Sequence, residues 1–456
     1  MGQMFFLGAL STAAVASLFR PWIGVVSAYL IAVLTPQAVW FWNFVDVRPV
    51  FWIMVPTIVG FGIGVARGIY DLQLLNNKRN VLLLGLWFFY TLSYLVGPYA
   101  NVDSPYRFVT SQWASSTLNN IFILYFMGCL CIDNEKKLKA LVGVLAFSVI
   151  YLIYWANDQY LSGNLIGRLA GPVDFFGNGI YSDENNFAML FVVATPFLWY
   201  LGYAMRYRIA CWGMWLVIPF GWHAVFLTAS RGGLVGLAVT TLLVAWRTKN
   251  RWIGILLIPA LFFAYTWQAG DLMRGRAETI QDFAIEESAS SRLDAWAAAT
   301  NMIVAHPVTG VGLASFSTAF PSYSQDIPRE AHNTFFQIAG ESGIFAGIAY
   351  IGIVAICILS LWRNGSRLRR AGIKGSPSIL YLVNEAVLVA FTGLAICSLF
   401  LSLQMFEIFY LLCLLTNAVL YVSAKEKEVA VAEEEASSDV QSALGQYPAR
   451  RTHRLS

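Results

Sequence analysis

The chain has 456 residues, 58% of them hydrophobic and only 12% charged, with a formal net charge of +4 and a mean hydropathy of +0.60. Soluble domains carry roughly 25% charged residues, so a soluble protein is excluded, and basic residues confined to short clusters between apolar runs give no nucleic-acid partner. The six cysteines all lie inside apolar runs without C-x-x-C spacing, and the four histidines are few and scattered, so neither a disulfide framework nor a metal site is expected.

A membrane-spanning helix needs about 20 apolar residues. Candidate runs lie near 4–19, 22–42, 50–66, 80–97, 115–132, 137–156, 186–204, 209–228, 232–246, 252–268, 338–362, 379–400 and 403–422. The first two flank Arg20-Pro21 and are read as one span plus a short re-entrant or interfacial piece. The N-terminal run lacks a basic n-region and a small-residue cleavage site, so it is read as retained. The expectation is an all-α polytopic membrane protein of about 12 transmembrane helices. It divides into an N-terminal bundle (1–268), a large loop containing helices (269–337), C-terminal spans (338–423) and a disordered tail (424–456) rich in Lys, Glu, Ser and Ala.

The lysines set the orientation. Lys78, Lys136, Lys137, Lys139, Lys249, Lys374, Lys425 and Lys427 all fall on one side of these spans, which the positive-inside rule makes cytoplasmic. The opposite side holds loops near 157–185 and 269–337. The second has no Lys, and this side carries Arg48, Arg107, Arg168, Arg231, Arg274, Arg276, Arg292 and Arg329. Guanidinium stays charged and grips phosphate or carboxylate with paired donors. Pairing with Asp or Glu would account equally well for any single Arg.

Four polar clusters mark this outer side. Gly167-Arg168-Leu169-Ala170-Gly171-Pro172 precedes Asn178 and then Ser182-Asp183-Glu184-Asn185-Asn186, where Ser182 or Asp183 can cap the next helix. Thr228-Ala229-Ser230-Arg231-Gly232-Gly233 separates two apolar runs by almost nothing, so Arg231 sits at the membrane boundary. A snorkelling arginine and an anion clamp facing a cavity both fit that position. Ser290-Ser291-Arg292-Leu293-Asp294 reads as a helix start with a capping box, placing Arg292 in a first turn suited to phosphate. That helix should end before His306-Pro307, with Gly310-Val311-Gly312 as a turn. Ala331-His332-Asn333 then leads into an apolar run whose Asn333, Gln337 and Glu341 share a helical face. His332 at its mouth is the candidate base.

With these motifs in order on one side, the chain resembles the O-antigen ligase family, within the ligase and polymerase superfamily of bacterial surface glycans. The resemblance is carried by Ser230-Arg231-Gly232, Ser291-Arg292 with His306-Pro307 and Gly310-Val311-Gly312-Leu313, and Ala331-His332-Asn333 followed by Glu341-Ser342-Gly343. Arg20-Pro21-Trp22 also looks like an exosortase-linked branch of O-glycosylation ligases. The resemblance implies a metal-independent, cofactor-free inverting glycosyltransferase of the bacterial inner membrane, with its site facing the periplasm. It would move a glycan from undecaprenyl diphosphate to lipid A–core oligosaccharide. Arg231 and Arg292 would hold the diphosphate and His332 would be the base. Arg168, Arg276, Asp183, Asn185, Asn333, Gln337 and Glu341 are the further substrate-binding candidates. An O-antigen polymerase and a protein O-glycosylation ligase use the same donor and stay open. A lipid-linked glycan transporter would instead place polar residues near the midplane in two matching halves.

Overall fold

The computed structural model describes residues 2–445 apart from 45–46, 108, 166, 176, 178, 249–250, 269–283 and 372–377. The candidates Asn178, Arg274 and Arg276 lie outside the described residues. Among the described residues every regular element is helical. The α-helices are α1 (Gly2–Phe19), α2 (Pro21–Leu34), α3 (Pro36–Val39), α4 (Pro49–Ala66), α5 (Lys78–Val96), α6 (Ser111–Cys131), α7 (Glu135–Leu161), α8 (Glu184–Ala204) and α9 (Arg208–Thr228). They continue as α10 (Arg231–Arg247), α11 (Arg251–Gln268), α12 (Ala284–Ala305), α13 (Phe316–Ala319), α14 (Thr334–Ser342), α15 (Ile344–Ala371), α16 (Ile379–Cys397) and α17 (Glu407–Gly445). Among the described residues ten helices are long and apolar enough to cross a membrane, and Pro21–Leu34 and Leu256–Trp267 are shorter apolar rods. That matches the expected dozen.

Burial sorts these helices by role. In α8 89% of the hydrophobic window is buried, against 6% in α1. A helix apolar on all sides must be wrapped by other helices or by lipid. α8 takes the first course and packs against α9 and α16, while α1 takes the second and touches mainly α2 and α4. Long-range hydrogen bonds then define two ends of the bundle. At the end opposite the lysines, called the outer end after the expected orientation, Leu169 N–H donates to the Leu227 carbonyl at 3.0 Å and the Tyr181 hydroxyl to the Val33 carbonyl at 3.0 Å. At the lysine-bearing end, Arg79 donates to Asn417 at 2.6 Å and Arg247 to Glu385 at 2.8 Å.

Arg20-Pro21 separates α1, long and apolar enough to cross a membrane, from the shorter apolar α2, the span and short piece that were expected, and Pro is well placed at the first turn of a new helix. Two expectations are corrected. The Ser290–Asp294 segment is not a helix start. α12 already runs from Ala284, so Arg292 lies in the helix interior and its N–H groups are not an open anion site. Last, α17 continues through the charged tail to Gly445. Glu, Lys and Ala are strong helix formers, and once a buried span has nucleated the helix each further residue gains one hydrogen bond with no new nucleation penalty.

The apolar run near 338–362 is not one rod. It breaks between α14 and α15 at Gly343, whose φ is +88°. A Cβ there would sit 2.3 Å from the Val308 carbonyl oxygen. The matching position on the facing loop is Gly310, φ +64°, where a Cβ would lie 2.2 Å from the Glu341 carbonyl. The loop after α12 is thus pressed against the α14–α15 break, with Val311 N–H on the Gly340 carbonyl (2.9 Å) and Ile344 N–H on the Pro307 carbonyl (2.9 Å).

Candidate active site

The outer-end loops are tied so that distant motifs meet. α9 ends in a left-handed Ala229 (φ +50°), and Ser230 caps α10 by accepting from Gly233 N–H at 3.1 Å. Arg231 therefore projects from a reversal that two residues complete. The loop before α8 docks on the same reversal: Leu169 N–H donates to the Leu227 carbonyl, and Arg168 Nε to the Thr228 carbonyl, both at 3.0 Å. Asp183 caps α8 by accepting from Asn185 and Asn186 N–H at 2.8 and 3.0 Å.

A segment that the sequence did not mark, 398–404, joins α10 to the His332 motif. On one side Phe400 packs at Gly232, where a Cβ would lie 3.0 Å from the phenylalanine Cβ. On the other, Thr334 N–H donates to the Ser398 carbonyl (2.8 Å), the Asn333 amide to the Leu399 carbonyl (3.2 Å) and the Thr334 hydroxyl to the Leu401 carbonyl (2.6 Å). α12 brings the remaining member. Its alanines Ala295, Ala298 and Ala299 and Met302 bury against Phe316, Phe320 and Ala331. Trp296 stacks on Phe336 at 5.5 Å and donates to the Ala331 carbonyl at 3.0 Å.

His332 is the most constrained residue here. Its backbone is left-handed, φ +46°, a region that costs a non-glycine residue energy and that clusters at functional sites. The peptides on either side hold it. Ala331 N–H donates to Gln337 Oε1 at 2.8 Å, and the Asn333 side chain caps α14 by accepting from Phe336 N–H at 3.2 Å.

The charges of the site act on one another. Burial lowers the pKa of Arg292, and the nearby Arg231 guanidinium lowers it further. Burial likewise lowers His332, with Arg292 and Arg329 adding to the effect and Asp183 opposing it. The imidazole is thereby held neutral at pH 7, able to accept a proton. Among the described residues neither Arg231 nor Arg292 forms an ion pair. Three other arginines at this end, Arg107, Arg168 and Arg329, have partners in the protein. Arg107 donates to the Tyr99 and Ala100 carbonyls at 2.6 and 3.0 Å, and Arg329 pairs with Asp326 at 2.7 Å. Arg168 is shared between the Thr228 carbonyl, Asn185 and, at 3.6 Å, Glu184.

The polar stripe of α14 faces protein. Glu341, only 1% exposed, accepts from Ala314 N–H (2.8 Å), Phe316 N–H (3.1 Å), Gln337 (2.7 Å) and Gln404 (2.7 Å). Gln337 is engaged by Ala331, Ser402 and Glu341. Asn333, Gln337 and Glu341 thus form the scaffold under His332, and Asn185 serves Arg168.

Sequence reading passed over Glu330. Burial pushes its carboxyl up to about 7, with the Glu341 and Asp183 charges adding and a hydrogen bond with Ser402 opposing. The available signal was a carboxylate two residues before the candidate base in a lysine-free loop.

No curated protein matches the chain. Residues 212–351 match the family model described as O-antigen ligase. That stretch runs from α9 into α15 and holds Arg231, Arg292 and His332, while Arg168, Asp183 and the 398–404 segment come from outside it. On this match residues 212–351 are similar to the O-antigen ligase family, and they lie within a bundle in which ten of the described helices are long and apolar enough to cross a membrane.

Proposed function

We propose that the protein is an O-antigen ligase, transferring a glycan from undecaprenyl diphosphate to lipid A–core oligosaccharide at the periplasmic face of the bacterial inner membrane. The observation that carries this reading is the meeting of two guanidinium groups without carboxylate partners and one imidazole held neutral. Two neighbouring cations repel each other, and a dianionic group between them turns that repulsion into binding. In the proposed step the acceptor hydroxyl gives its proton to His332 as its oxygen bonds the anomeric carbon from the face opposite the leaving group. The bond from that carbon to the phosphate oxygen breaks, and the diphosphate leaves with the electron pair. Arg231 and Arg292 stabilise the charge that grows on it, an effect worth about 10²–10³-fold per donor in comparable sites. Arg168 stands beside them as a weaker phosphate contact.

No divalent metal is assigned a role in this step. The test is purified protein in detergent with undecaprenyl-diphosphate glycan and lipid A–core, for wild type and His332→Ala, with and without EDTA. The reading requires EDTA-resistant transfer by wild type and a loss of about 10²–10⁴-fold in the variant. Transfer only to a second lipid-linked glycan would make the protein a polymerase, and transfer only to a peptide would make it a protein O-glycosylation ligase. EDTA-sensitive transfer restored by Mg²⁺ would remove the two-arginine mechanism.

A further inference from the structure

A second unpaired arginine site lies at the opposite, lysine-bearing end. Arg79 is the second residue of α5, half-buried among α5, α6, α15 and α17. Its Nε donates to Asn417 Oδ1 at 2.6 Å, and Nη1 reaches the Ser360 hydroxyl at 3.4 Å. Both partners are neutral. The Asn417 amide is fixed in turn by Asn80 Oδ1 (3.0 Å) and by the Tyr125 hydroxyl (2.5 Å). Asn80 and Tyr125 are fully buried and bonded to each other at 2.6 Å. A buried polar frame therefore aims one guanidinium, and among the described residues no carboxylate answers it.

That guanidinium opens into a cavity of about 210 Å³ lined by Leu74, Asn77, Arg79, Cys129, Leu420 and Tyr421, with Asn417 at its back. It is smaller than a typical small-molecule pocket of about 300–1,000 Å³. Its walls combine a fixed cation, amide groups and a tyrosine with leucines, so they suit a phosphate carried on an apolar stem. Basic pockets between membrane helices on the cytoplasmic side bind anionic head groups, and Lys78 and Lys425 stand next to Arg79 and one turn beyond Tyr421 in sequence.

We infer that the Arg79 cavity binds a phosphate group at the cytoplasmic end of the bundle, supplied by an anionic phospholipid of the surrounding leaflet. The inference stands apart from the chemistry proposed at the outer end. A free phosphate ion offers the same chemistry, so the experiment separates the two sources. Protein purified in neutral detergent is delipidated and its melting temperature measured with added phosphatidylglycerol, phosphatidylcholine or inorganic phosphate. Wild type should gain about 2 °C or more from phosphatidylglycerol and not from phosphatidylcholine. Arg79→Gln should lose that gain and Arg79→Lys should keep part of it. Should Arg79→Gln fail to fold, Leu420→Trp fills the cavity without touching the charge, and must abolish the gain as well. An equal gain from inorganic phosphate would keep the phosphate site and reject the lipid as its source. Equal gains from the two phospholipids, or a full gain in Arg79→Gln or Leu420→Trp, would overturn the inference.

Discussion

The two ends of α10 carry arginines in opposite circumstances. Arg247, at the lysine-bearing end, forms a two-point pair with the fully buried Glu385 and lies over the Trp362 ring at 4.6 Å. Arg231, sixteen positions earlier in the same helix, has no carboxylate, is exposed, and faces another guanidinium. One arginine is satisfied by the protein itself and holds α10 to α16. The other leaves the protein electrostatically incomplete at one point. A buried pair is strongly destabilised when one member is removed, whereas removing one of two repelling cations relieves strain. Stability and activity should therefore separate cleanly between the two ends.

The largest effect tests that separation. Arg231→Ala or Arg292→Ala should reduce transfer by about 10²–10³-fold while the melting temperature holds or rises. Arg247→Ala or Glu385→Ala should instead destabilise by about 3–5 kcal/mol, with transfer per folded molecule little changed. The checks are transfer rates normalised to folded protein and thermal melts of all four variants. A large loss of stability in the Arg231 variant would mean that this residue, too, is a structural partner, and the contrast would fail.

Comparable in size is the effect at His332. Its replacement by Ala should lower transfer by about 10²–10⁴-fold. The sharper measurement is the pH profile. Asp183 raises the His332 pKa and Arg329 lowers it. A base works only when deprotonated, so its pKa sets the acid limb of the rate. Asp183→Asn should move that limb to lower pH and Arg329→Gln to higher pH. Shifts in the same direction, or none, would place the titrating base elsewhere.

A smaller effect is expected at the scaffold beneath. Glu341→Gln exchanges an acceptor oxygen for an N–H₂ group facing donors, since Glu341 accepts from Ala314, Phe316, Gln337 and Gln404. Leaving one buried donor unmatched costs about 1–3 kcal/mol. The melt should fall by that amount, and transfer should fall less than in His332→Ala. An unchanged melt would mean that the four contacts do not hold the loop.

The same contrast explains what the sequence could reveal. The spans were legible because a bilayer demands long apolar runs, and the arginine and histidine motifs because charge at a membrane boundary stands out. The capping-box reading of Ser291 and Asp294 failed because the same pattern also occurs inside a helix, and here the helix already runs from Ala284. The tail's composition suited either a disordered chain or a helix, and continuity with α17 decided for the helix. The segment 398–404 left little mark, since much of its work is done by the backbone carbonyls of Ser398, Leu399 and Leu401, which every residue type supplies; its polar contributors Ser402 and Gln404 reach Gln337 and Glu341, partners that only the fold brings near. The partners of Arg107 and Arg168 were hidden for the same reason.

Glu330 gives the finest test, because it asks whether the site is also electrostatically incomplete on its acidic side. Its carboxyl is pushed up to about 7 by burial and by Glu341 and Asp183, against about 4.3 in an unfolded chain. Between these values the folded state binds the proton that the unfolded state has lost, so stability falls as pH rises through that window. Below about pH 4 both states are protonated and Glu330 adds no pH dependence. Glu330→Gln copies the protonated form. It should melt like wild type at pH 4 and above wild type at pH 8, with the gap opening between about 4.3 and 7. Melting curves across that range check it. A gap independent of pH would mean that Glu330 is an ordinary solvated carboxylate, and that the site around His332 departs from the Arg247–Glu385 pair only through its cations.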